Sequence, residues 1–226
     1  GQQEHHHFTR RPRPDLSPKN WPKDVFDRLW EQSFTTGTSP EVTINLTSPT
    51  TGERRTGVVS GSADPLGMYA GIAALKAGGN AMDACIATSL AQVTLASGAF
   101  VSHAGITSII YFDAASSTSH YLDGGWRPAN GADYSKEGPL NRSNPAESVL
   151  VGGFSAGLEE YSEVFGKLNF SSLVDAAIFF AESGAPRTDI LKYNAKFSTV
   201  LNRSAGGRSL YEKLWSAPSN VSSFTQ

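Results

Sequence analysis

The sequence predicts a layered α/β protein, and three observations carry that expectation. Short runs such as "GVVSG" (57–61) and "TSIIYFDA" (107–114) have the apolar content and bounding residues of strands. Between them stand two helix-like segments with start and stop signals of their own. The order along the chain is strand, two helices, strand hairpin, then several helices, which suits stacked layers better than an all-helical bundle.

Residues 1–20 hold His5, His6, His7 and a mixture of arginines and prolines with almost no periodic apolar content, so a mobile tail or an arm over another subunit is expected. Residues 21–56 read as a short helix and a linker. The helix runs over Lys23–Phe34, with Val25, Phe26, Leu29 and Trp30 on one side, and the turn-rich linker holds an edge strand at Val42–Leu46. The ordered body spans 57–226 and opens with "GVVSG" as a buried strand.

Two helices follow. Asp64 caps the first and Pro65 fits its first position; Met68, Ile72 and Leu75 keep helical spacing, and Gly78 takes the left-handed turn past the end. Asn80 caps the second, with Asp83 three residues on, and Met82, Cys85, Ile86, Leu90 and Val93 form its apolar stripe. Alanine and glycine keep both helices thin, so they can lie close to a neighbour or a sheet. Strands are then expected at Thr107–Asp113 and up to Asp123, with Ala114–Ser119 as the hairpin loop. A helix closed by Gly166, another from Ser171 or Ser172 to Gly184, and helical segments at Asp189–Val200 and Ser209–Trp215 complete the chain.

Composition narrows the function classes. Formal net charge is −2 from 19 basic and 21 acidic residues, which gives no field for nucleic acid or an anionic membrane surface. No apolar run approaches the roughly 20 residues of a membrane span. Cys85 is alone, so no disulfide forms within the chain, and it is expected as a small buried hydrophobe. The three adjacent histidines could bind a metal, but no ligand spacing supports a site, and no glycine loop suits a phosphate; neither metal nor cofactor is required. Sequons stand at Asn45, Asn141, Asn169, Asn202 and Asn220. Composition alone gives about two, so the excess points to a glycoprotein of the secretory pathway. Asp64 and Asp83 read as helix-end residues, and Glu159, Glu160 and Glu163 as a solvated helix face.

The series "ADPLGMYAGIAALKAGGNAMDACIATSLAQV", "IIYFDA" and "YLDGGWRPA", with the downstream "VGGFSAGLEEYSEVFGKLNFSSLVDAAIFFAESGAP", resembles the large-subunit region of gamma-glutamyltranspeptidases over residues 57–200. That resemblance implies an N-terminal nucleophile hydrolase: a four-layer αββα sandwich, completed by a second chain that self-cleavage releases. The new N-terminal threonine of that small subunit would be the nucleophile, its freed α-amine acting as base, with backbone N–H groups stabilising the oxyanion. No catalytic residue is expected in the present chain, which starts at Gly1 and carries Thr225 only near its end. Family large subunits are usually longer, which implies a short or trimmed one here. The substrate would be a small-molecule or peptide amide.

Two departures mark the candidate site. The family has an arginine directly after its aspartate–glycine pair, where the guanidinium fork holds a carboxylate. Here Asp123–Gly124 is followed by Gly125, and Arg127 is the nearest arginine, a candidate for a shifted substrate-binding role or for an ordinary surface or interface ion pair. The family's glycine run ahead of the strand is reduced to Gly105 in "AFVSHAGITS", which leaves backbone approach less free and brings in His103 as a second candidate substrate contact or as a plug. Three readings result: an acyl-transfer enzyme with altered donor recognition, a non-catalytic relative serving as a binding or scaffold module, and an unrelated α/β domain.

Overall fold

The computed structural model describes residues 11–34, 41–47, 54–61, 64–96, 101–128, 150–186, 202–214 and 223–224. The expected helix at Asp189–Val200, the sequons at Asn141 and Asn220 and the three adjacent histidines lie outside them.

A helical hairpin forms the centre. Helix α2 (Pro65–Lys76) starts where Asp64 accepts a hydrogen bond from the Leu66 N–H at 2.8 Å, and Pro65 occupies the first turn. It ends at a left-handed Gly78, φ 91°. Helix α3 (Ala81–Ala96) begins three residues later with a reciprocal box: the Asp83 N–H donates to Asn80 Oδ1 at 3.1 Å, and the Asn80 N–H donates to Asp83 Oδ2 at 2.8 Å. Small residues let the two helices cross closely, and a Cβ on Gly71 would overlap the Thr88 hydroxyl.

Helix α3 is buried nearly all round, leaving Ala81, Cys85, Ser89 and Gln92 as a strip that is less than fully buried. Cys85 is thus exposed, not buried as the stripe predicts, because its position falls between the faces that pack on α2 and on the later helices. Surrounding protein still desolvates the thiol enough to raise its pKa.

Around this hairpin lie α4 (Phe154–Phe165), α5 (Phe170–Leu173) and α6 (Asp175–Ser183). Asn169, not Ser171 or Ser172, caps α5, and the expected single helix breaks at Val174. The loop after α4 is held by Asp83, fully buried, which accepts from the Lys167 N–H at 3.0 Å and the Leu168 N–H at 3.3 Å. Asn80 Nδ2 donates to the Phe165 carbonyl at 2.6 Å on the same seam.

The N-terminal segment corrects the expectation of a mobile tail, as far as it is described. Leu16 and Trp21 are core residues, and the Trp21 ring lies 4.8 Å from Tyr69. Arg11 donates to the Ser162 and Glu163 carbonyls at the end of α4. Apolar burial of two large side chains holds the segment even though its composition is tail-like. Helix α1 (Lys23–Gln32) follows, and α7 (Ala205–Leu214) lies near the C-terminus.

The described strands pair in four two-stranded antiparallel sheets. Strand β1 (Glu41–Thr47) pairs with β2 (Arg54–Ser60), in register Ile44 to Gly57. Val59 is buried but Val58 is 51% exposed, so β2 is half-buried, not enclosed as expected. Strand β3 (Thr107–Asp113) pairs with β4 (Thr118–Gly124), with Ile109 opposite Leu122. Short pairs join β5 (Arg127–Pro128) to β6 (Leu150–Val151), and β7 (Ala185–Pro186) to β8 (Ser223–Phe224). No described helix is long and apolar enough to cross a membrane.

Two stability outcomes follow from these contacts. Asp83→Ala leaves buried N–H donors at two seams without acceptors, so urea denaturation will show a loss of about 3 kcal/mol. Asp64 is also buried, and desolvation is the largest effect on it, raising its pKa to about 6 despite hydrogen bonds from Leu66 and Ser33. A carboxyl raised in the folded state contributes stability that is fully present below its unfolded pKa and is lost as pH rises through about 6. Asp64→Asn keeps the cap and removes the titration. The stability difference between variant and wild type, measured by urea melts from pH 4 to 7.5, will shift in the variant's favour by up to about 3 kcal/mol.

Candidate functional site

Three pieces of backbone meet where α3, the β3–β4 hairpin and α4 come together. The first is the turn from Val101 to Ile106, closed by the Gly105 N–H donating to the Ser102 carbonyl at 2.9 Å. The second is the end of β4, where Asp123 Oδ1 accepts from the Gly125 N–H at 2.9 Å and turns the chain towards Trp126 and Arg127. The third is the start of α4, where the Phe154 N–H donates to the Gly105 carbonyl at 3.1 Å.

Glycine makes this meeting possible. A Cβ on Gly152 would overlap the carbonyls of Ala104 and Gly105, and one on Gly153 would sit 2.5 Å from the Gly124 carbonyl. The reduced glycine run ahead of β3 therefore does not prevent close backbone approach. The freedom is supplied by Gly152 and Gly153, at the far end of the contact.

Beside this junction is a cavity of about 460 Å³, a size suited to a small ligand. Val93, Val101, Ile106, Trp126 and Phe154 give it apolar walls, and Ser102, Ala104 and Gly105 form the turn along its edge. Trp126 is 57% exposed, so much of its indole remains open to solvent in this chain. No charged side chain stands among the described lining residues.

His103 sits in the same turn but does not line the cavity. Its ring lies 6.0 Å from Phe154 in an edge-on contact, and its carbonyl accepts from Ser155 Oγ at 3.3 Å. Desolvation holds its pKa below the usual histidine value, so the imidazole is neutral at pH 7. Arg127 directly follows Trp126, is exposed, and forms no ion pair among the described residues. The two sequence candidates thus flank the cavity, and no hydrogen bond between them is among the described contacts.

Trp126, Phe154 and the glycine pair are the site residues that sequence reasoning missed. "DGGWR" and "VGGF" did carry a signal, since each sets an aromatic residue directly after paired glycines.

Other candidates fall where helix physics places them. Asp64 and Asp83 serve helix starts, and Glu159, Glu160 and Glu163 are exposed on α4. Among the sequons, Asn202 is exposed and Asn45 lies on β1. Asn169 uses Oδ1 to accept from the Ser171 N–H at 3.0 Å and the Ser171 hydroxyl at 2.8 Å.

A family model described as Gamma-glutamyltranspeptidase matches residues 68–214. A search of curated proteins finds no match. Among solved structures, the gamma-glutamyltranspeptidase of Helicobacter pylori superposes with TM-score 0.64 at 22% identity, covering 74% of this chain and 50% of that one. The Bacillus anthracis transpeptidase CapD gives TM-score 0.55 at 20% identity, covering 74% and 52%. Cephalosporin acylase from Bacillus halodurans gives 0.58 at 25% identity, covering 72% and 32%. The chain therefore spans about half the length of the first two structures.

Gly152→Ala tests the backbone junction. Forcing a methyl against two carbonyls will destabilise the protein by about 1–3 kcal/mol in thermal or urea unfolding. Gly206→Ala is the control: it lies in α7 with open space around it, and will be neutral or stabilising by up to about 1 kcal/mol.

Proposed function

Because the chain belongs to the gamma-glutamyltranspeptidase family, we propose that it is the large-subunit part of an autoprocessed enzyme that hydrolyses or transfers an acyl group at an amide bond. The nucleophile is the N-terminal threonine of a second chain cut from the same precursor.

The observation that carries this reading is the uncovered face of the β3–β4 hairpin. Ile109, Tyr111 and Leu122 turn inward towards the core, while Ile110, Phe112 and Tyr121 on the other face are 78%, 60% and 67% exposed. A two-stranded sheet with apolar side chains on both faces needs cover on both. A second polypeptide packing there would complete the layers.

In the proposed reaction, the threonine α-amine takes the hydroxyl proton as the oxygen attacks the amide carbon. Backbone N–H groups stabilise the oxyanion. The C–N bond breaks, the leaving amine takes the proton, and an acyl ester remains for water or an amine to release. Residues of the present chain shape the donor's binding. The apolar cavity beside Trp126 and Phe154 favours a donor with an apolar portion, and Arg127 can meet a carboxylate from two residues beyond the family's usual position. This geometry supports donor recognition different from that of a γ-glutamyl amide such as glutathione. We place the protein in the secretory pathway on its sequons; endoglycosidase treatment of the natural protein will increase its gel mobility.

Mass spectrometry of the purified natural protein will show a second polypeptide with N-terminal Thr, and a threonine-directed electrophile will label that residue. A single uncut chain would remove the mechanism. A cut but unlabelled protein with no amide turnover would favour the non-catalytic binding module instead.

A further inference from the structure

A second cavity, of about 470 Å³, lies away from the junction, between the N-terminal segment and α6. Its character is opposite to that of the first. Arg13 and Lys19 supply positive charge to its lining, and Asp15, Asp175 and Glu182 supply negative charge. None of these five side chains forms an ion pair among the described residues. Charges of both signs around one concave site, left apart from each other, fit a ligand that carries both.

The floor is buried. Ser17 lines the cavity and is 4% exposed, and its hydroxyl oxygen is closed to solvent. The frame around it is fixed: the Ser17 N–H donates to Asp15 Oδ1 at 2.9 Å, and the Leu16 N–H donates to Asp175 Oδ2 at 3.1 Å. Each carboxylate therefore keeps one oxygen outside these backbone contacts.

We propose that this cavity binds a small zwitterion, a free α-amino acid. The ligand's carboxylate faces Arg13 and Lys19, and its ammonium faces Asp15, Asp175 and Glu182. A purely anionic ligand would meet three carboxylates, and a purely cationic one would meet the guanidinium and the ammonium. The site stands apart from the cavity at Trp126 and does not depend on the acyl-transfer reading.

Isothermal titration of the purified full-length protein with L-threonine will show saturable binding. N-acetyl-L-threonine and L-threonine amide, each stripped of one charge, will bind more weakly by about tenfold or more, the effect of losing one charge-assisted hydrogen bond. Arg13→Ala and Glu182→Gln, both at exposed positions, will each weaken L-threonine by a similar factor with an unchanged melting temperature. No saturable binding overturns the proposal. So does equal affinity for the three probes, or full affinity in both variants, which would place the bound amino acid elsewhere on the protein.

Discussion

The buried carboxylate of Asp83 is the constraint on which the rest of this structure depends. It sits at the start of α3 and accepts from backbone N–H groups on both sides of a long gap in sequence: Asn80 in its own turn, Lys167 and Leu168 some 84 residues on. A buried carboxylate is costly unless its oxygens are satisfied, and here both are. The same residue therefore begins one helix and fixes where another ends. With α4 tied at this point, the β3–β4 hairpin that packs beneath it and the turn before β3 have little freedom left.

That anchoring explains why the central helices are so thin. Helix α3 packs on neighbours along nearly its whole circumference, and only small side chains let α2 approach it closely. The large residues that fill the remaining space come from elsewhere: Phe180 from α6, Leu158 from α4 and Trp21 from the N-terminal segment. The core is thus assembled from distant parts of the chain. It leaves the outer side of the hairpin bare, which a self-contained domain of this size would have little reason to do.

Local chemistry was the legible part. The Asp64 cap, the Pro65 start, the Gly78 turn and the Asn80–Asp83 box each depend on residues a few positions apart, and all four stand as read. Long-range packing was not legible. Nothing in "RPRPDLSPKN" announces that Leu16 would reach the core, because the partners that bury it are on distant elements. Cys85 was misread for a related reason: its spacing fits an apolar stripe, but α3 has several buried faces, and spacing does not say which narrow strip remains open. At the site, Asp123 and Arg127 were visible as a departure from a motif, whereas Gly152 and Gly153 mattered only through carbonyls of Ala104, Gly105 and Gly124, far back in the sequence.

The site's character follows from how it is built. Its junction is backbone against backbone, held by the Phe154 N–H on the Gly105 carbonyl and by glycines that allow the contact. Side chains enter afterwards, as walls. A junction of this kind can exchange its walls without losing its geometry, since Val101, Ile106 and Trp126 project from a frame they do not hold together. A charge-reading arginine is harder to move: its fork must meet a carboxylate within about 3 Å, and a shift of two residues in an extended chain is roughly twice that distance. A change of recognition at a cleft built this way is thus easiest by shape and apolar contact. The backbone frame sets the junction, and the walls are where side chains have room to change.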